Sequence, residues 1–382
     1  MKKPDLLQEP IQNLFISYLL PSISATLVTS IYILADTIMI GKGIGSLGIA
    51  ALNIILPIFN LFFGFGMLFG VGGSVLMSVC HGKGDVKTGQ KYFTSAFLTT
   101  ITLGFSFALL GNLFLRPLVY LLGATDTIIE LTISYGRYVM TGAPIFMMSS
   151  LLQAFVRNDK APRLAMIAVI VGGVSNVLLD YIFIFPLKMG IGGAAAASVI
   201  GVSITVFILC LHFLSKDSTI RLIKDGFSLS LIKDILCNGF SSFLLEMANG
   251  IVIFLFNLQL IRYVGEIGVV VYGIISNSSL VAISLSNGIA QAAQPIIATN
   301  FGARLWQRVN IVRKLGLLTA FIIGTLLFLS GLLYPKYIIQ IFINPTSDVI
   351  SMAIPAIRIY FLAFIPSALN IFFCNYFQGI IN

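Results

Sequence analysis

Charged residues are scarce in this 382-residue chain, and their scarcity excludes a soluble globular fold. Asp, Glu, Lys and Arg make up only 10% of the sequence, whereas hydrophobic residues make up 58%. A soluble domain carries about 25% charged residues, which it needs to solvate its surface. Apolar runs recur along the whole length, and each is long enough to cross a hydrocarbon core of about 30 Å as a helix. The sequence therefore predicts an all-α, multi-pass protein of the lipid bilayer.

Histidine and cysteine are also rare, which excludes the usual clusters of metal ligands. The four cysteines fall in or beside apolar runs without CxxC spacing, so we interpret them as small hydrophobic residues. No nucleophile–base pair, metal constellation or channel filter motif is evident, so we predict neither an enzyme, a cofactor nor a channel. The net charge of +9 comes from short basic clusters between apolar runs. That pattern is typical of membrane topology rather than of nucleic-acid binding.

Ten apolar runs predict ten transmembrane helices. They cover residues 12–40, 47–80, 92–115, 130–156, 163–186, 191–215, 235–261, 267–299, 311–333 and 351–379. Several of these runs exceed the length of about 20 residues that a perpendicular helix needs, so we expect tilted or bent helices. Pro21 and Pro57 are the expected bend points.

The basic residues alternate between the two sides of the membrane. Lys and Arg concentrate at the N-terminus and in the loops after the second, fourth, sixth and eighth runs. Only seven of the 23 lie on the opposite side, namely Lys42, Arg116, Arg137, Lys188, Arg262, Lys336 and Arg358. Because basic loops stay in the cytoplasm, we expect a cytoplasmic N-terminus in the cell (plasma) membrane.

An internal repeat relates the two halves of the chain. Matching residues recur at a spacing of about 220, which drifts to about 222 further along. The matched pairs are Gly45 and Gly265, Gly48 and Gly268, Gly82 and Gly302, Tyr138 and Tyr360, and Pro144 and Pro366. A unit of six helices starts and ends on the same side, so the copies are parallel and related by a pseudo-two-fold axis along the membrane normal.

The repeat also predicts the domain organisation. We expect an N-terminal six-helix lobe over 1–215, a polar cytoplasmic linker over 216–234 and a C-terminal lobe over 235–382. Only four helices fit in the second lobe, so we expect a chain that is truncated before the counterparts of helices five and six.

Two aspartates inside apolar runs predict a cation site. An ionised carboxylate at membrane depth costs at least ~2.5–3.5 kcal/mol, so Asp36 and Asp180 either serve a function or make a structural hydrogen bond. Counted along their helices, both reach a similar level in the outer half of the bilayer. Tyr32 and Asn176 lie one turn before them on the same faces, and Ser198 reaches that level from the other side. Such oxygens suit either Na⁺ or a carboxylate that carries H⁺.

A third intramembrane carboxylate, Glu246, lies midway along the seventh run. If it faces a cleft between the lobes, its unscreened negative charge would attract cationic substrates. A structural hydrogen bond to a neighbouring helix is the alternative.

Several motifs resemble the multidrug and toxin extrusion (MATE) family, in its bacterial drug-exporting branch. They are PSISATLVTSIYILADTIMIGKGIGSLGIAALNI, GVGGSVLMSVCHGKGD, NVLLD and GIGGAAAASV in the first half, and QPIIATNFGA in the second. The resemblance covers nearly the whole chain. It implies two six-helix lobes around a central cavity, with alternating-access export of amphipathic, often cationic drugs against inward Na⁺ or H⁺. We expect a monomer.

The resemblance also implies roles for individual residues. The positions that match the first-lobe cation site of the family are Asp36, Asn176, Asp180 and Ser198, with Tyr32 as a nearby hydrogen-bonding residue. Ser198 stands where a threonine is common, which keeps the hydroxyl group. Glu246 resembles an acidic seventh-helix residue and Gln294 opens the eighth-helix motif, so we expect both at the substrate cavity.

The chain departs from the family in its helix number, since members normally have twelve helices and ten are predicted here. Two alternatives therefore stay open. One is a lipid-linked saccharide flippase of the related superfamily, although such a protein would place cations in its cavity and the intramembrane charges here are acidic. The other is an inactive, truncated transporter fragment.

Overall fold

A computed structural model describes residues 5–342 and 347–381, and helices make up most of both ranges. The helices are α1 (Ile11–Gly43), α2 (Ser46–Gly82), α3 (Val86–Leu113), α4 (Leu115–Leu121), α5 (Ile129–Thr141), α6 (Ala143–Asn158), α7 (Pro162–Ile184), α8 (Gly190–Cys210), α9 (Leu229–Tyr263), α10 (Glu266–Gly302), α11 (Trp306–Leu333), α12 (Pro335–Phe342), α13 (Ser347–Phe361) and α14 (Phe364–Gly379). Within these described ranges, nine segments are long and apolar enough to cross a membrane, or ten if α5 and α6 form one broken span. The predicted all-α, multi-pass fold is confirmed.

The fourth predicted helix, 130–156, is wrong as a single segment. It is broken into α5 and α6, whose axes meet at 50°. Pro144 lies in the first turn of α6, a position that tolerates proline because the N–H it lacks would have no helical partner there. By contrast, the α-helical assignment continues through Pro21 in α1 and through Pro57 in α2.

Three helices begin five or six residues earlier than their apolar runs predict. The helices α3, α9 and α11 begin at Val86, Leu229 and Trp306 rather than at 92, 235 and 311. Their first turns are amphipathic and carry Lys or Arg, so they lie outside the apolar run but still continue the helix. The start of α3 is fixed by Asp85, whose carboxylate accepts a hydrogen bond from Thr88 N at 3.0 Å. This backbone hydrogen bond lowers the pKa of Asp85 below its usual value.

The internal repeat is visible in the backbone. The short helices α4 and α12 occupy equivalent places, and so do the pairs α5–α6 and α13–α14. Gly45 precedes α2 with φ 89° and ψ −167°, while Gly265 precedes α10 with φ 82° and ψ −163°. No atom lies within 4 Å of where a Cβ would stand at either position. Backbone conformation, not crowding, is therefore what requires glycine in both copies.

The first lobe (α1–α8) and the second lobe (α9–α14) meet mainly through α1 and α2 on one side and α9 and α10 on the other. Small residues let these helices approach closely. A Cβ on Gly82 would collide with the carbonyl oxygen of Thr299, and one on Gly302 would collide with that of Val79. We call this region around Gly82 and Gly302 the closed face.

The packing around α10 is looser toward its opposite end. A Cβ at Gly273 would have no neighbour within 4 Å, unlike one at Gly302 on the same helix. The lobes are therefore in close contact at the face where α1 begins. Further along, Ser30 of α1 still forms a hydrogen bond with Ser284 of α10, whereas Leu56 near the start of α2 is 39% exposed. We call the end of the lobe interface near Leu56 the open end.

The second lobe has an uncovered apolar flank on α9 and α13. Its exposed side chains include Phe256, Met352 and Ile359, and they border a cavity of about 440 Å³. In the first lobe the equivalent faces are covered by α7 and α8, where Gly173 lies against Tyr32 and Gly192 against Tyr138.

Candidate functional site

The packing of α7 on α1 brings Asp36 and Asp180 side by side. The helices approach closely because Gly173 gives space to the Tyr32 ring, whose Cδ1 would lie 3.0 Å from a Cβ there. Asp36 is 9% exposed and Asp180 is fully buried. Their carboxyl groups are near enough to interact directly. The predicted proximity of the two aspartates is thus present in the structure.

Several oxygen atoms around these carboxyl groups have no hydrogen-bond partner within the described part of the chain. They are Oδ1 of Asp36, both carboxylate oxygens of Asp180, Oδ1 of Asn176 and the phenol oxygen of Tyr135. Leaving a buried acceptor unsatisfied costs about 1–3 kcal/mol, and more for a charged group. Such a cluster of unpaired oxygens is therefore unstable unless protons, a cation or water complete it.

The amide of Asn176 is oriented by a hydrogen bond to Ser198. Its Nδ2 donates to the hydroxyl of Ser198 on α8 at 3.3 Å, which leaves Oδ1 as the unpaired acceptor. The hydrogen bond links α7 to α8. Four of the predicted residues, Asp36, Asn176, Asp180 and Ser198, therefore lie in one cluster, and Tyr32 is half-buried beside Asp36.

Tyr135 on α5 is a member of this cluster that the sequence did not reveal. Its side chain is fully buried, and its phenol interacts with both aspartates and with Ser198. The depth of Tyr135 in the membrane, counted along α5, could have identified it, because it matches the depth of Asp36. Tyr135 lies six residues into α5, or about 9 Å from the helix start. Asp36 lies seven residues, or about 10 Å, before the end of α1 on the same side.

Glu246 lies apart from this cluster, between the lobes. It is half-buried on α9, whose Phe243 and Met247 pack against Gly64 of α2. One turn further along α9, a Cβ on Gly250 would be 3.1 Å from Nδ2 of Asn60. The repeat aligns Glu246 with position 26 of α1, so it lies about 15 Å along the helix axis from the level of Asp36.

Gln294 is fully buried inside the second lobe. Its Nε2 lies 3.3 Å from Oδ1 of Asn375 and 3.4 Å from Oε1 of Gln378. Gln378 in turn donates to the backbone carbonyl of Asn238 at 2.8 Å and so connects α14 to α9. Gln294 has no exposed surface in this conformation, and its role at the substrate cavity stays a prediction.

The chemistry of the cluster suits a proton or a small hard cation. Within residues 5–342 and 347–381, no group of three or more His, Cys, Asp or Glu residues could hold a metal ion. The cluster instead offers two carboxyl groups, an amide oxygen and a phenol, all of them oxygen ligands. Hard cations prefer such ligands over nitrogen or sulfur.

Comparisons with known proteins bear on the family of the chain. The sequence profile of the MatE family matches residues 21–182 and 241–382. A "Multidrug export protein MepA" from Staphylococcus saprophyticus is 27% identical over 369 residues, which cover 94% of this chain and 79% of that protein. The MepA protein of Staphylococcus aureus strain MSSA476 is 23% identical over 376 residues, covering 97% of this chain and 82% of that protein.

Solved structures show the same fold. An outward-facing multidrug resistance MATE family transporter superposes with a TM-score of 0.91 at 23% identity, covering 100% of this chain and 86% of that one. A MOP superfamily transporter from Pyrococcus furiosus gives the same TM-score and coverage at 24% identity. The profile match extends over most of both lobes. The chain therefore belongs to the MatE family, the multidrug and toxin extrusion family that its motifs resemble.

Proposed function

We propose that this protein exports amphipathic or cationic drugs from the cell by alternating access, in exchange for inward movement of H⁺ or Na⁺. The observation that carries this proposal is the pair of buried carboxyl groups, Asp36 and Asp180, on two different helices of the first lobe. The multidrug export proteins among the relatives support drug efflux as the activity.

The paired carboxyl groups provide a physical basis for coupling. Two carboxylates that are ionised side by side in a buried site repel each other, so the empty site favours separation of α1 from α7. A proton or a Na⁺ ion between them removes this repulsion and draws Asp36 toward Asp180. Cation binding would therefore move the outer part of α1 relative to α7, while its release would restore the first position.

Substrate recognition would use the space between the lobes. Glu246 supplies a negative charge at this interface, and Phe65 and Phe243 supply an aromatic wall with ring centroids 5.0 Å apart. A carboxylate next to aromatic faces suits an amphipathic organic cation, because the charge attracts the cation and the rings bind its apolar part. An apolar surface of this kind can bind substrates of many shapes, because apolar contacts are not directional.

The orientation and organisation of the protein are part of the same proposal. We place the N-terminus and the closed face in the cytoplasm, because most basic residues lie on that side. The likeness to an outward-facing transporter supports this choice. The working units would be lobes over 1–215 and 235–382 joined by residues 216–234, in a monomer. Labelling of single cysteines in intact cells with a membrane-impermeant reagent tests the orientation.

Efflux by three single variants tests the proposal. Cells that express Asp36→Asn or Asp180→Asn should accumulate a cationic dye such as ethidium, because neutral amides cannot carry the coupling charge. Asp126→Asn is the matched control. Asp126 lies in the loop after α4, is exposed, and accepts a hydrogen bond from Tyr120. Unchanged efflux in both site variants would sink the proposal.

Proteoliposomes identify the coupling ion. Purified protein should expel a cationic dye when an inward-directed pH gradient is imposed without Na⁺, or when an inward-directed Na⁺ gradient is imposed at constant pH. The coupling ion is the one whose gradient drives efflux by the parent protein but not by Asp180→Asn. If neither gradient drives dye transport, the antiport proposal is contradicted.

A further inference from the structure

The segment before α1 is bound to the second lobe. Leu6 is 1% exposed and its carbonyl accepts hydrogen bonds from Nδ2 of Asn300 at 3.0 Å and from Arg308 at 3.1 Å. Arg308 also donates to the carbonyl of Glu9 at 2.8 Å and to Oδ1 of Asn300 at 2.8 Å. One arginine at the start of α11 therefore fixes residues 6–9 on the second lobe.

The segment before α9 is bound to the first lobe in a corresponding way. Asp159, at the end of α6, accepts hydrogen bonds from Thr219 N at 2.9 Å and from Ser218 Oγ at 3.3 Å. Nε2 of His212 lies 2.7 Å from the same carboxylate, and both side chains are 2% exposed. Gln90 of α3 donates to the carbonyl of Thr219 at 3.0 Å.

Further hydrogen bonds fix the rest of this segment on α3. Ser95 donates to the carbonyl of Gly226 at 2.8 Å, and its Oγ lies 3.3 Å from Ser228 N. Thr94 Oγ1 accepts a hydrogen bond from Ile223 N at 3.2 Å. The polar stretch between the lobes is thus attached to the first lobe up to the residue before α9.

Apolar side chains also pack across the lobes, so that the start of each lobe is buried in the core of the other lobe. The early part of α1 lies in a buried cluster with side chains of α10, α11 and α14, and its members include Leu6, Leu14, Phe15, Tyr18, Ile289, Ile296 and Val312. The start of α9 and the segment before it lie in a first-lobe cluster, whose members include Ile220, Ile235, Leu68, Phe93 and Phe155. Phe15 and Ile235 occupy equivalent positions in the repeat.

We propose that residues 6–9 and 218–228 are two reciprocal straps that hold the closed face together, with Arg308 and Asp159 as their positioning residues. The inference rests on the proposed alternating access. Each strap precedes the first helix of one lobe and is bound to the other lobe. Moving the lobes apart at this face would therefore pull Leu6 and Phe15 out of the second-lobe core, or Ile220 and Ile235 out of the first-lobe core. Opening requires release of both straps.

Cysteine accessibility on both sides of the lobe interface tests the straps. The four native cysteines are replaced by serine, and one reporter is added at a time. Thr299→Cys reports the closed face, where residue 299 is 5% exposed and its backbone lies against Gly82. Leu56→Cys reports the open end, because Leu56 is 39% exposed on the α2 face that continues to Asn60 and Gly64.

Strap release should move the two reporters in opposite directions. In Arg308→Ala and in Asp159→Asn, labelling of residue 299 by a small maleimide should become at least about fivefold faster, and labelling of residue 56 should slow, since a coupling of about 1 kcal/mol corresponds to fivefold. Arg313→Ala is the matched control, because Arg313 donates its hydrogen bond to Asn310 on its own helix rather than to a strap. It should label like the parent protein.

Two outcomes would overturn the straps. One is equal labelling of residue 299 in all three variants. The other is faster labelling of both reporters in the strap variants, which would mean that Arg308 and Asp159 only hold the fold together. Labelling needs no transported compound, so it tests the straps separately from drug export. If Asp36→Asn loses efflux but residue 299 labels at the parent rate in Arg308→Ala and Asp159→Asn, the proposed function is supported and the strap proposal is refuted.

Discussion

Gly302 offers a direct way to disturb the contact between the lobes. In Gly302→Ala the new Cβ would point at the carbonyl oxygen of Val79, which belongs to the backbone of α2 and cannot rotate away. The same clash recurs in Gly82→Ala, against the carbonyl oxygen of Thr299. Either methyl group can be accommodated only if α2 and α10 move apart at the closed face. We therefore expect both variants to destabilise this conformation relative to one that is open on this side.

The expected magnitude follows from the cost of overpacking. Inserting one methyl group into a tightly packed contact typically costs about 1–3 kcal/mol. If the cost falls on the closed face alone, the equilibrium between the two conformations shifts by about 5- to 150-fold. Gly273→Ala is the control on the same helix, because its Cβ meets nothing within 4 Å. There the loss of glycine should slightly stabilise α10, by up to about 1 kcal/mol.

The assay uses Leu56→Cys in the cysteine-free background as reporter of the open end. Maleimide labelling should slow in Gly302→Ala and in Gly82→Ala and stay unchanged in Gly273→Ala. Melting temperatures in detergent show whether the variants remain folded. If Gly302→Ala and Gly273→Ala label at the same rate, the glycine pair does not control the contact between the lobes, and the reasoning fails.

Two further predictions concern the buried polar groups. Tyr135→Phe keeps the ring but removes a phenol oxygen that has no hydrogen-bond partner among the described residues and that would contact the coupling cation. Losing one such contact to a charged group should lower efflux by about tenfold or more, while the melting temperature changes little. Unchanged efflux would place Tyr135 outside the coupling site. Burial would raise the pKa of Asp159, but hydrogen bonds from His212 and Thr219 outweigh burial and bring the pKa below its usual value. This carboxylate therefore adds stability above the unfolded pKa of about 4, and the added stability is lost as the pH falls through the lower, folded pKa. Melting temperatures from about pH 6 to pH 3 should decline less steeply in Asp159→Asn, and parallel curves would contradict the assignment.

The membrane fold was predictable because it depends on composition and length. Each helix crosses the same thickness of hydrocarbon, so the number of apolar runs gives the number of membrane-spanning helices. The broken fourth span was not predictable in this way, because α5 and α6 together have the length and hydropathy of one helix. Only Pro144 marks the break, and Pro21 and Pro57 show that proline alone does not cause one.

Part of the candidate site was also predictable, for a similar reason. Charges inside lipid are costly enough to be noticed singly, and helix geometry converts their positions into depths, which placed Asp36 and Asp180 at one level. Tyr135 escaped because tyrosine in an apolar run is unremarkable. Which helices touch could not be deduced at all, since helices in lipid are apolar on every side and show no periodic face. The contacts of Leu6 and Arg308 across the lobes therefore appeared only in the structure.

The exchange of segments between the lobes also has a consequence for biosynthesis. Leu6, Phe15 and Tyr18 leave the ribosome well before the residues they pack against, because Ile289 and Val312 lie nearly 300 residues later in the chain. Until then the beginning of α1 lacks the partner surface that buries it in the finished protein. The first lobe alone therefore leaves the beginning of α1 without its native packing. Its assembly ends only when α10 and α11 have entered the membrane, so the beginning of α1 reaches its final environment later than the helices that follow it in the first lobe.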